Sequence, residues 1–169
     1  HGLTHRSWSA WSKDPERFSD DLKQATLILK TFFPDSFRPW FRAPAGYISN
    51  WMAPILSQHQ YTVDTSVNPS WLVRKKASPS WRMVVESMQS SGIIERGWKT
   101  RLSLPTCGPA QHIMGLRWNA RRAWKGLGKP LEIEDLYRIE QPEIELTTIY
   151  WHILDHSRKN GWTPPLKVK

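Results

Sequence analysis

The sequence predicts an α/β fold with a mainly parallel sheet or barrel. Segments rich in β-branched and aromatic residues alternate with segments whose apolar residues recur at helical spacing. The thirteen Pro and nine Gly are spread between these apolar runs, as expected for many short elements joined by tight loops. The length of 169 residues, 39% of them hydrophobic, suits one core. Because no repeat, charge block or Pro/Gly/Ser tract interrupts the chain, residues 1–169 are predicted to form a single domain.

The first predicted element is a helix over about residues 15–33. Asp14 is its expected N-cap, and Pro15 occupies the first helical position. Apolar residues at spacings of four and three predict one continuous face packed on the core: Phe18, Leu22, Ala25, Leu29 and Phe32.

Strands and helices are then expected to alternate. Trp40-Phe41 predicts a short buried strand that opens into a loop, and a second helix is expected from a cap at Ser49 or Asn50 through Gln58. The later predicted elements are a strand over residues 61–67, a helix over 78–92, a strand beginning at 93, a basic helix over about 111–127 and a strand over 146–153.

The chain is basic, with 24 Lys and Arg against 15 Asp and Glu and a net charge of +9. The segment RWNARRAWK at residues 117–125 mixes Trp with Arg and Lys, as nucleic-acid-binding surfaces do. We expect instead a solvated basic helix face whose Trp side chains point inward, so no specific nucleic-acid partner is predicted. An anionic glycan or a membrane surface would account for the charge equally well. No apolar stretch approaches the roughly 20 residues of a transmembrane helix.

His1 and His5 form the first of three polar clusters. Their spacing of four allows two imidazoles to converge on one divalent cation from a helical turn or a tight loop. A catalytic zinc site normally takes three protein ligands and a water, so a third ligand must come from elsewhere. Without other support, two histidines at this spacing are more often ordinary surface residues.

The other two clusters also stand at transitions between strand and loop. Arg42 precedes Pro44-Ala45-Gly46, where a fixed turn can direct a backbone N–H at an oxyanion, although an ordinary loop has the same composition. Asp64 and His152 could act together as orienting carboxylate and general acid. The alternatives are that Asp64 caps the following turn and that His152 is a histidine of the core.

These clusters together resemble the polysaccharide deacetylase family, also called the NodB-homology family or carbohydrate esterase family four. That family has an Asp-Asp motif followed by four further motifs. The four appear here in order as HGLTH, as RAP followed by AGY, as VDTSVNPSW and as IYWH. The resemblance covers residues 1–71 well and residues 145–156 moderately.

The resemblance implies a distorted (β/α) barrel and a metal-dependent hydrolase of N-acetyl or O-acetyl groups. His1 and His5 would bind a divalent metal, usually zinc, and Arg42 would tether the catalytic carboxylate. His152 would protonate the leaving amine while Asp64 fixes its tautomer. The partner would be an acetylated polysaccharide in the cell envelope, the periplasm or outside the cell.

The resemblance also implies a sugar-binding groove. The backbone at Ala45 and Gly46 would help to hold the oxyanion. Trp71, Trp151 and Trp51 are candidate stacking walls, with core packing as the alternative for each.

Two departures from the family pattern alter these expectations. Ala45 stands where the family has Tyr, and the Asp-Asp motif, which supplies the catalytic base and the third metal ligand, does not precede His1. We therefore expect an incomplete barrel whose first strands are missing, with an open sheet edge. Weak or no deacetylase activity is predicted for residues 1–169 alone.

Three other functions are compatible with parts of the sequence. One is a non-catalytic glycan-binding or scaffold protein that keeps the groove without its base. Another is a copper monooxygenase that binds its metal through an N-terminal His1, which would require an all-β sandwich. A basic nucleic-acid module is the third, with binding that is lost as salt rises.

Overall fold

The structure is a computed structural model that describes residues 1–150. At its centre lies a three-stranded parallel sheet made of β1 (Trp40–Phe41), β3 (Val63–Asp64) and β5 (Ile94–Glu95) in the order β1-β3-β5. Trp40 is opposite Val63, and Val63 is opposite Ile94. The predicted strands at Trp40-Phe41 and from residue 93 are therefore present, and the one over 61–67 is reduced to two residues.

Within residues 1–150, four α-helices accompany this sheet. The crossover from β1 to β3 contains α2 (Met52–Gln58), and the crossover from β3 to β5 contains α3 (Trp81–Ser90), as parallel strands require. The helices are α1 (Pro15–Phe32), α2 (Met52–Gln58), α3 (Trp81–Ser90) and α4 (Met114–Lys125). The mixed α/β class and the parallel pairing are confirmed, but residues 1–150 form no closed barrel.

Two smaller sheets complete the described part of the chain. In one, β2 (Ile48–Ser49) pairs in parallel with β4 (Ala77–Ser78). In the other, β6 (Thr100–Arg101) and β7 (Leu104–Pro105) form an antiparallel hairpin. Its turn residues Leu102 and Ser103 have φ of 53° and 54°, values that Gly or Asn usually adopts. Because neither residue is the Gly, Asn or Asp expected at such a turn, the sequence did not predict this hairpin.

Helix α1 has the predicted start but only part of the predicted packing. The Asp14 side chain accepts a hydrogen bond from the Arg17 N–H at 3.2 Å. Phe18 and Leu22 are buried, whereas Leu29 is 40% and Phe32 71% exposed. The expectation of a continuous buried face is therefore wrong for the second half of the helix. The core contacts of its first half come from residues such as Trp8 and Phe41.

Other predicted boundaries also differ. Ser49 belongs to β2, and Trp51 precedes α2 as its N-cap without a side-chain hydrogen bond, so capping by Ser49 or Asn50 is wrong. Ser80 caps α3 by accepting a hydrogen bond from the Met83 N–H at 3.3 Å. Of the predicted strand over 146–153, the described part forms one parallel bridge, between Trp98 and Thr148. Residues 151–153 lie outside the described residues.

The basic helix is present as α4, with a mixed orientation of its Trp side chains. Trp124 is 3% exposed, as predicted, whereas Trp118 is 56% exposed and contradicts the expectation that both point inward. No helix within residues 1–150 combines the length and the apolarity needed to cross a membrane.

Candidate active site at the carboxyl edge of the parallel sheet

A cavity of about 850 Å³ lies beside the carboxyl ends of β1 and β3. Parallel strands direct the residues that follow them to one edge of the sheet, where α/β proteins commonly bind ligands. One wall comes from His1 and from residues 40–42 and 65, and the other from residues 126–131 and 145–149. Arg42, Arg96, Lys99 and Lys129 line it together with Glu145, so most of its charged lining residues are cationic.

His1 and His5 lie side by side, and His1 contacts Arg42 just after the carboxyl end of β1. Their ring centroids are 4.7 Å apart in an edge-to-face arrangement, and His5 adopts a φ of 56°, which places the pair in a tight loop. His1 Nδ1 lies 2.8 Å from the Arg42 carbonyl oxygen. Because a carbonyl can only accept, Nδ1 carries the proton in this contact, and in the neutral ring Nε2 keeps its lone pair. A backbone carbonyl commonly orients a metal-binding imidazole in this way.

The two imidazoles suit zinc, but they do not complete a site. Within residues 1–150 no group of three or more His, Cys, Asp or Glu side chains is arranged to hold a metal ion. Two imidazoles are fewer than the three protein ligands of a usual catalytic zinc site, so a third ligand for such a site would have to come from outside the described residues.

Arg42 directs its guanidinium group toward the cavity. Its Nε donates to Thr65 Oγ1 at 2.7 Å, and its Cζ lies 5.6 Å from the Trp98 ring centroid and 5.2 Å from that of Tyr150. Burial lowers the pKa of Arg42 from its usual value, while the neighbouring Tyr150, Asp64, Cys107 and Glu95 oppose that shift. An arginine remains charged under such conditions, so the cavity contains a half-buried cation held against aromatic rings.

Asp64 is completely buried at the end of β3. Its Oδ2 accepts from the Ser66 N–H at 2.9 Å and its Oδ1 from Ser66 Oγ at 2.7 Å. Ser66 Oγ in turn accepts from the Ala43 N–H at 2.7 Å, which connects the ends of β1 and β3. His152, the predicted partner of Asp64, lies outside the described residues, so their pairing remains a prediction.

Glu95 is a site residue that the sequence reasoning missed. It stands opposite Asp64 in the register of β3 and β5, and its Oε1 accepts from the Val67 N–H at 3.2 Å. Burial, then the adjacent charge of Asp64, raises the pKa of Glu95 well above its usual range. Glu95 Oε2 is buried without a donor among the described residues. A protonated Oε2 that donates to Asp64 satisfies both carboxyl groups.

The position of Glu95 could have been recognised from the sequence. It follows the apolar pair Ile93-Ile94 and ends β5, just as Asp64 ends β3. Adjacent parallel strands place such residues side by side at the same sheet edge.

Ala45 and Gly46 form a 3-10 turn, Pro44–Gly46, after Arg42. Their φ values are 53° and 75°. The N–H of Gly46 donates to the Ala43 carbonyl at 3.0 Å, and that of Tyr47 donates to the Pro44 carbonyl at 3.1 Å. Because those two N–H groups are already engaged, an oxyanion contact from this turn would have to come from the N–H of Ala45.

Replacement of Gly46 by alanine is expected to destabilise this turn. A Cβ at this position would lie 3.0 Å from Trp98 Cη2 and 3.3 Å from the Ser66 carbonyl oxygen, on a backbone with positive φ. The free energy of unfolding should fall by about 1–3 kcal/mol, measured by urea denaturation. Gly115→Ala is the control, since a Cβ there meets nothing within 4 Å and Gly115 lies inside α4. An equal loss in both variants would contradict this account of Gly46.

The predicted aromatic walls have different locations. Trp71 is 56% exposed at the start of the 3-10 helix Trp71–Lys76 and does not line the cavity. Trp51 packs edge to face against Phe18, with ring centroids 5.6 Å apart. It therefore packs on the core, which was the alternative to a sugar-binding wall. Trp151 lies outside the described residues. The cavity instead contains Trp40, which the sequence reasoning did not propose as a wall.

Comparison of the chain with protein-family models, with curated proteins and with solved structures found no match. Inferences about its activity therefore depend on the residues of the cavity and on the sequence motifs.

Proposed function

We propose that this chain belongs to a metal-dependent polysaccharide deacetylase-type hydrolase, which removes N-acetyl or O-acetyl groups from a polysaccharide. The observation that carries the proposal is the adjacency of the His1 and His5 rings, with His1 Nδ1 bonded to the Arg42 carbonyl. This bond leaves His1 Nε2 available to a metal and joins the histidine motif to the arginine motif.

The convergence of separate motifs supports the proposal. Arg42 follows β1, Asp64 ends β3, and both lie at the edge of the sheet where the histidines are found. Arg42 and Asp64 are 22 positions apart in the chain. Hydrogen bonds from the Ala43 N–H to Ser66 Oγ and from Ser66 Oγ to Asp64 nevertheless connect the ends of their strands. His1 and Arg42 both line the cavity, so the histidine and arginine motifs meet there.

Each residue has a definite task in this proposal. His1 and His5 would hold the metal, which when bound polarises the acetyl carbonyl and lowers the pKa of a water. The Ala45 N–H would bind the developing oxyanion, and Arg42 would orient a carboxylate that acts as base. His152 would protonate the departing amine, oriented by Asp64.

The cavity suits a sugar polymer as substrate. Its volume of about 850 Å³ is within the range of small-molecule sites and is large enough for more than one sugar unit. Copper monooxygenase chemistry is less compatible with the fold, because helices and parallel strands in residues 1–150 replace the all-β sandwich that it requires.

Zinc titration of residues 1–169 by calorimetry tests the proposal. We expect one zinc per chain and a loss of about tenfold or more in affinity for His1→Ala and for His5→Ala. His59→Gln is the matched control, since His59 bonds Ser19 at 2.7 Å and does not line the cavity. Unchanged affinity in both site variants would contradict the proposed metal site.

An assay of acetate release from an N-acetylated amino-sugar oligomer complements the titration. Slow or absent turnover is expected for residues 1–169 with zinc, because the Asp-Asp motif that would supply the base is not part of them. Rates near those of complete deacetylases would contradict this expectation. Binding of the oligomer that is independent of zinc and of both histidines would instead support the non-catalytic glycan-binding alternative.

A further inference from the structure

A surface patch on α4 and the β6–β7 hairpin exposes several large apolar side chains together. Met114 is 89% exposed, Trp118 56% and Leu102 72%. Met114 and Trp118 are four positions apart in the chain, so they lie on one face of α4. Ile113, the N-cap of the helix, is 53% exposed. We call these four residues the α4 patch.

The hairpin is fixed against α4 by a reciprocal pair of hydrogen bonds. Arg101 Nη1 donates to Asn119 Oδ1 at 2.9 Å, and Asn119 Nδ2 donates to the Arg101 carbonyl at 3.0 Å. Asn119 is buried, so both bonds are shielded from water. Leu102 follows Arg101 at the hairpin turn and is thereby held on the same part of the surface as Trp118.

Positive charge is built into the α4 patch. The Arg122 guanidinium carbon lies 4.4 Å from the Trp118 ring centroid, and that of Arg101 lies 5.7 Å from it. Arg122 is one turn beyond Trp118 on the same helix face, and Lys125 is exposed in the last turn. The patch therefore combines protruding apolar groups with guanidinium groups that surround an indole.

The opposite face of α4 is already used by the core. Asn119, Ala120, Ala123 and Trp124 are its buried residues. Exposure of Met114 and Trp118 is thus a property of one face of an amphipathic helix whose other face is anchored. Clusters of exposed apolar side chains bordered by polar residues commonly mark interaction surfaces.

We infer that the α4 patch docks the protein on an anionic membrane surface. Trp and aliphatic side chains favour the boundary between headgroups and acyl chains, while Arg and Lys attract anionic headgroups. A nucleic-acid partner fits less well, because the guanidinium groups lie over the ring face on which a base would stack, and protruding Met114 and Leu102 side chains would have no role. The inference is independent of the proposed hydrolase activity.

Vesicle co-sedimentation of residues 1–169 tests this inference. Vesicles of phosphatidylcholine alone are compared with vesicles that contain about 30% phosphatidylglycerol. We expect binding to the anionic vesicles only, with a loss of about tenfold or more in partitioning for the double variant Met114→Ser/Trp118→Ser. Arg122→Gln should weaken binding at about 0.05 M salt and have little effect at about 0.5 M, where charges are screened.

The matched control is Ile133→Ser/Tyr137→Ser. These two residues are 81% and 59% exposed, have the same spacing of four, and lie on another helix. All substituted residues are exposed, so circular dichroism should report an unchanged fold in each variant. Absence of vesicle binding, equal losses in the two double variants, or binding to a single-stranded oligonucleotide but not to vesicles would each overturn the inference.

Discussion

Replacement of Arg96 by leucine is expected to lower the free energy of unfolding by about 3 kcal/mol, because hydrogen bonds from a charged donor to several carbonyls would be lost. Arg96 is 8% exposed and follows β5 directly. Its guanidinium donates to four carbonyl oxygens: those of Ile139 at 3.1 Å, Gln141 at 2.6 Å, Ile144 at 2.7 Å and Arg138 at 3.5 Å.

The segment held by Arg96 has little other anchorage. Its 3-10 helix, Ile133–Glu140, contains no buried residue, and Glu140 Oε1 accepts from Trp40 Nε1 at 2.8 Å and Thr62 Oγ1 at 3.0 Å. Since Ile139 and residues 145–149 line the cavity, detachment of this segment would also open the site. Hydrogen exchange should therefore accelerate across residues 133–145 in Arg96→Leu.

Two further variants separate this role from the general effect of removing an arginine. Arg82→Leu removes an exposed arginine from α3 and should change stability by less than about 0.5 kcal/mol. Arg96→Lys keeps the positive charge but not the planar guanidinium group. The free energy of unfolding of this variant should therefore lie between those of wild type and Arg96→Leu. Unchanged exchange across residues 133–145 in Arg96→Leu would show that Arg96 does not hold the segment.

Local signals in the sequence were sufficient for the elements that nearby residues determine. The cap at Asp14 and the apolar repeat from Phe18 specified α1, and Trp40-Phe41 specified β1. The parallel pairing followed from the alternation of strands and helices. Each of these depends on contacts within a few residues or on the order of elements.

Long-range contacts could not be predicted in the same way. The carbonyl oxygens bound by Arg96 are about forty to fifty positions away in the chain, and nothing local marks them. The exposure of Phe32 depends on which element packs against the second half of α1, not on its own spacing. The Asp64–Glu95 pair is a partial exception, because the sequence marks both as carboxyl groups at strand ends, although the register of β3 and β5 is what places the two side by side.

Replacement of Glu95 by glutamine should stabilise the protein increasingly as pH rises. Burial raises the pKa of Glu95 well above its ordinary value of 4.5, and the adjacent Asp64 charge adds to the shift. The folded state therefore retains a proton that the unfolded chain releases above about pH 4.5. The stability that this proton contributes is complete below the unfolded pKa and is lost as pH approaches the folded pKa. Between the unfolded-state pKa and the folded-state pKa of Glu95, one proton changes the free energy of unfolding by about 1.4 kcal/mol per pH unit.

Glutamine reproduces the protonated acid without titrating, since its amide can donate to Asp64 while its oxygen accepts from the Val67 N–H. The free energy of unfolding should therefore be measured by urea denaturation from pH 4 to 8. Near pH 4 we expect nearly equal values for wild type and Glu95→Gln. As pH rises, the value for Glu95→Gln should exceed that of wild type by an increasing amount. Glu86→Gln, which removes an exposed carboxyl group on α3, should run parallel to wild type throughout. A constant difference in the free energy of unfolding between Glu95→Gln and wild type across this range would mean that the pKa of Glu95 is not raised by folding, and that Glu95 is ionised beside Asp64 in the folded protein.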